Sequence, residues 1–342
     1  MHCGRSYADR IEPIRSFAPG RVNLIGDHTD YTGGLVLPMA VEMGTTVTGR
    51  RHGRSVSLTS DALPGQAAFD LPVGDALRTH GWARYVEAVA ALVQPATGFG
   101  GRIGSDLPIG AGLSSSASLE VAVALALGHP GPPRRLALAC QEAEQMASGV
   151  PCGVMDQLVS VSGVAEHALL IDCSDLSVAL VPVPAGAEFT VVHSGESRRL
   201  AGSAYAERRR SCEAAAAVIG PLRDACAADV ASLEDPKLRA RARHVVTENA
   251  RVRAFAAALA GGDLAACGQL MVESHRSLAG DFAVSTKRLD ELVARLVARP
   301  GVYGARLTGA GFGGCVVVLA RPGVVEEGWK VHPSGGAWVA GG

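Results

Sequence analysis

The segment Leu107-Pro108-Ile109-Gly110-Ala111-Gly112-Leu113-Ser114-Ser115-Ser116-Ala117-Ser118 runs straight into the apolar stretch Val121 to Leu127, a glycine turn opening into a helix. Glycines let a backbone approach a ligand closely. Serines at a helix start offer N–H groups and hydroxyls with the positive end of the helix dipole behind them. This is a cradle for a polyphosphate. Any one of these residues suits an ordinary glycine turn with serine caps, but the whole cluster does not. A Walker A loop is excluded because no Lys-Ser or Lys-Thr follows the glycines, and a dinucleotide fingerprint fails because Ser115 stands where its third glycine belongs.

A second segment concentrates charge. Gly20-Arg21-Val22-Asn23-Leu24-Ile25-Gly26-Asp27-His28-Thr29-Asp30-Tyr31 sets a cation, two carboxylates and an imidazole between apolar runs, which packing alone does not explain. It reads as a grip on a small, hydroxyl-rich molecule. A third cluster, Leu307-Thr308-Gly309-Ala310-Gly311-Phe312-Gly313-Gly314-Cys315, satisfies G-x-G-x-x-G literally, yet Val316-Val317-Val318-Leu319 after it is a strand signal where a dinucleotide fold needs a helix. The reading is two strands, Tyr303 to Leu307 and Cys315 to Leu319, joined by a glycine loop that could lie close to a ligand.

Composition narrows the class. With 342 residues, 48% hydrophobic and 19% charged, the chain is globular and long for one core. A net charge of -1 gives no footprint for nucleic acid or anionic lipid. The one dense basic run, Arg208-Arg209-Arg210 beside Glu207 and Glu213, reads as a solvated helix face. Met1 to Arg10 has no apolar core of signal-peptide length, and no stretch reaches the roughly 20 apolar residues of a membrane span, so a cytoplasmic protein is expected. Eight cysteines stand singly, without C-x-x-C spacing, and read as reduced and mostly buried.

Along the chain, α and β elements mix without a regular βαβ rhythm. Strands are expected at Leu35 to Val41, Gly44 to Thr48 and Ala168 to Ile171, and helices at Tyr85 to Val93, Arg134 to Ser148, Ser203 to Ile219, Leu238 to Ala260 and Thr286 to Ala298. The Pro-rich break at 181–186 is the expected domain junction. On the Arg134 helix, Glu144 sits at the edge of the apolar stripe of Leu136, Cys140, Ala143 and Ala147. A carboxylate there suits a magnesium ion facing the serine loop. Asp156, in Gly153-Val154-Met155-Asp156-Gln157, is a second acidic residue among hydrophobes and beside a glycine.

Together these segments resemble the GHMP family of small-molecule kinases, and within it the galactokinase branch. The first charged segment is similar to that branch's signature, the serine loop to the family's phosphate-binding motif, and Leu307 to Cys315 to its third motif. The likeness runs from Phe17 to about Leu319, through Cys152 to Cys173 and through Ser203-Ala204-Tyr205 with Arg208, Arg209 and Cys212. It implies an α+β fold of two domains, residues 1–180 like domain 2 of ribosomal protein S5 and residues 181–342 ferredoxin-like, with the active site in the cleft between them. It also implies ATP as co-substrate with Mg²⁺, and transfer to the anomeric hydroxyl of a sugar, galactose first, by a monomer without nucleic-acid or membrane partners.

Carried over by position, Asp156 and Arg21 would be catalytic, Asp156 orienting the hydroxyl and accepting its proton late. Asp27, His28, Asp30, Gly153 and Tyr205 would contact the sugar. Trp82, Pro108, Gly110, Ala111, Gly112, Leu113, Ser114, Ser115 and Ser116 would bind ATP, and Ser116 with Glu144 would hold the metal. One residue departs from the pattern. Galactokinases usually carry Glu where Asp27 stands, at the hydroxymethyl end of the sugar, and Asp is shorter by about 1.5 Å. Two rival readings follow: a kinase for another sugar or a sugar-like cyclitol, and a sensor that binds sugar and ATP without transfer.

Overall fold

The computed structural model describes residues 13–74, 76–108, 110–129, 131–196 and 201–341. The readings of Met1 to Arg10, Cys3 and Ile109 lie outside the described residues.

Two strands form the spine: β1 (Ile14–Ile25) and β2 (Leu35–Arg51) pair antiparallel along most of their length. With β3 (Ser55–Ser60), β4 (Gln66–Asp70), β5 (Phe99–Ser105) and β12 (Trp338–Ala340), they make a sheet ordered β12-β1-β2-β5-β3-β4. The start of β2 also pairs with β6 (His167–Asp172), which carries β7 (Ser177–Pro182). Where the sequence predicts two strands, at Leu35 to Val41 and Gly44 to Thr48, the structure has only β2. The register of β1 on β2 shifts between Pro19 and Arg21, so an irregularity bends the pair within one continuous strand. Gly44 fills the bend: a Cβ there would lie 2.3 Å from Ala18 O.

Helices α1 (Trp82–Val93), α2 (Ser115–Leu127), α3 (Pro133–Ser148) and α4 (Met155–Ser162) complete this half. α2 is apolar nearly all round and therefore buried, in contact with β1, β2, α1 and α3. Two hydroxyls stitch it to β1: Ser118 Oγ donates to Ala18 O and Ser16 Oγ to Ala122 O, each at 2.7 Å. The start of α2 is thereby fixed against the strand that carries Arg21. Pro133 at the first turn and left-handed Gly149 at the end set the limits of α3.

A second sheet, antiparallel and ordered β11-β8-β10-β9, holds β8 (Glu188–His193), β9 (Val302–Thr308), β10 (Cys315–Ala320) and β11 (Trp329–Val331). Around it lie α5 (Ala201–Ile219), α6 (Ala227–Ser232), α7 (Pro236–Ala260), α8 (Leu264–Gly280) and α9 (Lys287–Val297). Asp235 and Thr286 cap α7 and α9, accepting backbone N–H groups. The chain moves from the large sheet to the small one between Pro182 and Glu188, and β12 returns to the large one. One apolar cluster joins them, with Val22 and Leu24 of β1, Phe255 of α7 and Val317 of β10.

Among the described residues no helix is long and apolar enough to cross a membrane. The seven described cysteines are free thiols, four of them buried. The basic run on α5 departs from the solvated face expected for it. Arg208 donates from Nε to Phe282 O and from Nη2 to Ala283 O, each at 2.7 Å, and lies over the Phe312 ring, while Arg209 Nη1 donates to Pro151 O at 2.9 Å. Guanidinium forks satisfy several carbonyls at once, so these two arginines dock α5 onto loops.

Candidate active site

A cleft of about 800 Å³ opens between the two sheets' helices and loops. Arg21, Asp27, His28, Asp30, Gly110, Gly112, Ser114, Ser115, Ser116, Glu144, Gly153, Asp156 and Tyr205 all line it. These residues come from distant parts of the chain.

The serine loop forms one wall. Leu113 O accepts the Arg21 N–H at 3.0 Å, and Ser114 takes the left-handed conformation, φ 59°, just ahead of α2. Arg21 then reaches across to Asp156 in the first turn of α4. Nε donates to Oδ1 at 2.8 Å and Nη2 to Oδ2 at 2.7 Å, a two-point fork, while Nη1 donates to Gly112 O at 2.7 Å. The Ser114 hydroxyl also donates to Asp156 Oδ2. Thus a single guanidinium ties the carboxylate to the loop suited to phosphate.

Glu144 faces the same loop. Its Oε1 accepts from Ser116 Oγ at 2.8 Å and its Oε2 from Gln157 Nε2 at 2.5 Å; Gln157 Nε2 also donates to buried Glu120 at 3.0 Å. Burial first, then the nearby Asp156 charge, push the Glu144 carboxyl above its ordinary range. A hydroxyl and a carboxylate side by side are hard oxygen donors that fit Mg²⁺. The described residues contain no group of three or more His, Cys, Asp or Glu able to hold a metal by themselves. A cation that keeps several waters and takes phosphate oxygens needs no more than this pair.

The opposite wall is aromatic and acidic. His28 has φ 66°, and its ring packs against Tyr205 at 5.5 Å and Phe282 at 4.7 Å. Burial, then the neighbouring His244, lower its pKa to about 3, so the imidazole is neutral. Nε2 lies 3.2 Å from Ala310 O, which can only accept; Nε2 therefore carries the proton, and Nδ1 accepts from the Tyr31 hydroxyl at 3.0 Å. Asp30 is raised to about 7 by burial and then by the Asp156 charge. It packs against Gly153, where a Cβ would lie 1.9 Å from Asp30 Oδ2.

Asp27 is deeper, 3% exposed at its side chain. Its Oδ1 accepts the Gly309 N–H at 2.9 Å, and its Oδ2 lies 2.6 Å from Nη1 of Arg306, a fully buried arginine on β9. Oδ1 is thus hydrogen-bonded to the loop and Oδ2 is held by charge alone, without a hydrogen bond, where the sequence led to the sugar alone. Arg306 itself was missed by sequence reasoning. Its signal is a lone cation inside the strand Tyr303 to Leu307, which requires a buried counter-charge. His193, Cys152 and Met155, also unforeseen, line the cleft.

Four expected nucleotide residues are not in its lining. Ala111 and Leu113 turn their side chains into the apolar core, and the loop can present only their backbone. Pro108 O accepts the Ala111 N–H at 3.3 Å within the turn. Trp82 lies on α1 with its indole N–H on Pro64 O at 3.0 Å.

The galactokinase galactose-binding signature matches residues 5–51, the GHMP kinases N terminal domain residues 84–164, and the GHMP kinases C terminal domain residues 255–330. The galactokinase of Chloroflexus aggregans is 46% identical over 336 residues, 91% of this chain and 84% of that one. The human galactokinase is 46% identical over 325 residues, 88% of this chain and 82% of its own. Among solved structures, Lactococcus lactis galactokinase complexed with galactose superposes with a TM-score of 0.89 at 31% identity, covering 96% of this chain and 95% of that one. A mevalonate kinase at 20% identity, TM-score 0.64 and coverage of 90% and 91%, shares the fold. The chain belongs to the galactokinase family of GHMP kinases.

Proposed function

We propose that this protein is an ATP-dependent sugar 1-kinase that phosphorylates the anomeric hydroxyl of galactose. The observation that carries the reading is the Arg21–Asp156 fork, which sets a carboxylate between a phosphate-suited loop and an acidic, aromatic wall. Phosphoryl transfer through a loose transition state needs alignment and neutralised charge more than covalent help. Asp156 orients the acceptor hydroxyl and takes its proton as the oxygen bonds to the γ-phosphorus and the bond from that phosphorus to the bridging oxygen breaks, releasing ADP. Arg21 and the Ser114 hydroxyl hold that carboxylate in place, and the backbone of Gly110 to Ser116 wraps the phosphates. Ser116 and Glu144 would hold Mg²⁺, which supplies charge neutralisation on the phosphates when bound.

On the acceptor side, Asp30 accepts hydrogen bonds from ring hydroxyls, with Gly153 and Tyr205 completing the wall and His28 shaping it. For the base of the nucleotide we keep Trp82, on α1 packed against α2, which requires the base to reach past the cleft's lining. We also propose a monomeric state, a cytoplasmic location and two domains close to residues 1–180 and 181–342, with the junction moved to the end of β7 at Pro182 and β12 belonging to the first domain's sheet.

The test is product formation. Purified protein with ATP and Mg²⁺ is offered a panel of hexoses and cyclitols, and phosphorus NMR locates the transferred group. Galactose 1-phosphate should form with the highest kcat/KM. Preference for another acceptor would reassign the substrate, and binding without transfer would leave only a sensor.

A further inference from the structure

Two consecutive residues of the first charged segment hold two consecutive residues of the third glycine loop. The Asp27 carboxylate accepts the Gly309 N–H at 2.9 Å, and the neutral His28 ring donates to Ala310 O at 3.2 Å. Opposite bond polarities at neighbouring positions fix one register. Close by, Thr308 Oγ1 donates to Asn23 O at 2.9 Å and Arg306 Nη1 to Leu24 O at 3.2 Å, so the end of β9 is laced to the end of β1.

Arg306 decides what Asp27 is free to do. The arginine is 0% exposed, and its Nε and Nη2 have no hydrogen bond among the described residues. Its carboxylate neighbours are Asp27 Oδ2 at 2.6 Å and Glu248 Oε1 at 3.7 Å from Nη2. Glu248 is already engaged by the Gly26 N–H, Ser274 and Arg251. If Asp27 turned to a substrate hydroxyl, a buried guanidinium would lose its close counter-charge, and one hydrogen bond to a hydroxyl does not offset that.

We propose that Asp27 and Arg306 are a positioning pair that couples the Gly309–Ala310 loop to the acceptor wall, and that Asp27 makes no bond to the acceptor's hydroxymethyl group. The pair acts through the loop and through His28, which borders the cleft. This rests on the kinase reading above, and it deepens that reading by removing one carboxylate from sugar recognition.

The experiment combines a charge-removal cycle with a substrate pair. Asp27→Asn keeps an acceptor for the Gly309 N–H but strips Arg306 of its charge partner; Asp27→Asn/Arg306→Met removes both charges. Each protein is assayed with galactose and with 6-deoxygalactose, and its Tm is measured. Asp27→Asn should lower Tm and kcat, and the double variant should recover most of both, as expected when a stranded buried charge is the damage. The ratio of kcat/KM for the two sugars should stay within about threefold of wild type in both variants. A fall in that ratio of about tenfold or more, the effect of losing one charge-assisted hydrogen bond, would show that Asp27 reads the hydroxymethyl group and overturn the proposal. Failure of the double variant to recover Tm would equally overturn the pairing. If Asp27→Asn does not fold, the double variant supplies both readings. Wild-type protein that transfers no phosphate to galactose would refute the kinase reading, while the Tm cycle would still report on the pair.

Discussion

Arg21 and Asp156 meet through two parallel hydrogen bonds, at 2.8 and 2.7 Å, and the third arm of the same guanidinium holds Gly112 O. Asp156→Asn keeps the size of the side chain but removes the proton acceptor. Turnover should fall by about 10²- to 10⁴-fold, the usual worth of a general base. ATP affinity, measured by calorimetry, should change little. Near-normal turnover in this variant would remove Asp156 from the chemistry.

Arg21→Lys replaces a planar fork with a point charge that cannot hold both Asp156 oxygens and Gly112 O at once. A loss in kcat of about 10- to 100-fold is expected, from the bonds given up. Because the N–H of residue 21 still pairs with Leu113 O, thermal stability should change much less than rate. A variant with unaltered kcat would show that the fork is not needed to orient Asp156.

Asp30 gives the enzyme a specific pH response. Its carboxyl is raised from 3.8 to about 7, by burial first and by Asp156 second. If Asp30 accepts from sugar hydroxyls as proposed, its ionised form is the competent one, and KM for the acceptor should rise as pH falls below about 7. Stability runs the other way. The folded state binds the extra proton between its ordinary value and about 7, so this group's contribution to stability declines as pH increases through that window. Asp30→Asn should flatten the KM profile and raise Tm at pH 8. An unchanged KM profile in the variant would assign the titration to another group.

Glu144 offers a readout independent of the acceptor. With Ser116 it presents adjacent oxygen donors, and Glu144→Gln keeps the side-chain shape while removing the negative charge. The free Mg²⁺ concentration for half-maximal activity should rise by about tenfold or more, since hard cations depend on carboxylate charge. Galactose KM at saturating Mg²⁺ should be close to wild type. An unchanged Mg²⁺ requirement would move the metal elsewhere.

What the sequence discloses follows the range of the interactions. Glycine loops, the β-branched run after Cys315 and the caps at Thr286 and Asp235 are local signals, and the corresponding elements lie within a few residues of their expected ends. Gly44 signals a break but lies within β2, because its missing Cβ is used for close approach to β1. β12 pairs with β1 from the far end of the chain, and Arg306 meets Asp27 across two sheets. Neither partner carries a nearby residue that marks the other. Arg208 and Arg209 look like surface charge by composition, yet the carbonyls they hold at Phe282, Ala283 and Pro151 are brought to them only by the fold. The motifs make the charged residues legible as a set; the direction each carboxylate faces is a property of packing.

Gly153 leaves no room for a side chain beside Asp30. It follows Cys152, whose carbonyl accepts from both Gln141 Nε2 and Gln145 Nε2 at 3.0 Å, so α3 pins this loop from behind. A methyl at Gly153 would sit 1.9 Å from Asp30 Oδ2, closer than any real contact allows. With the loop held, the Asp30 side chain must swing away from the acceptor wall. Gly153→Ala should therefore raise acceptor KM and lower kcat/KM by about 100-fold, the scale of a misplacement near 1 Å. ATP affinity and Tm should stay near wild type, because the nucleotide loop and the core are untouched. A crystal structure of the variant with galactose should show Asp30 in a new rotamer; an unmoved Asp30 with normal KM would mean that the loop yields instead, and that the two glutamines do not fix it.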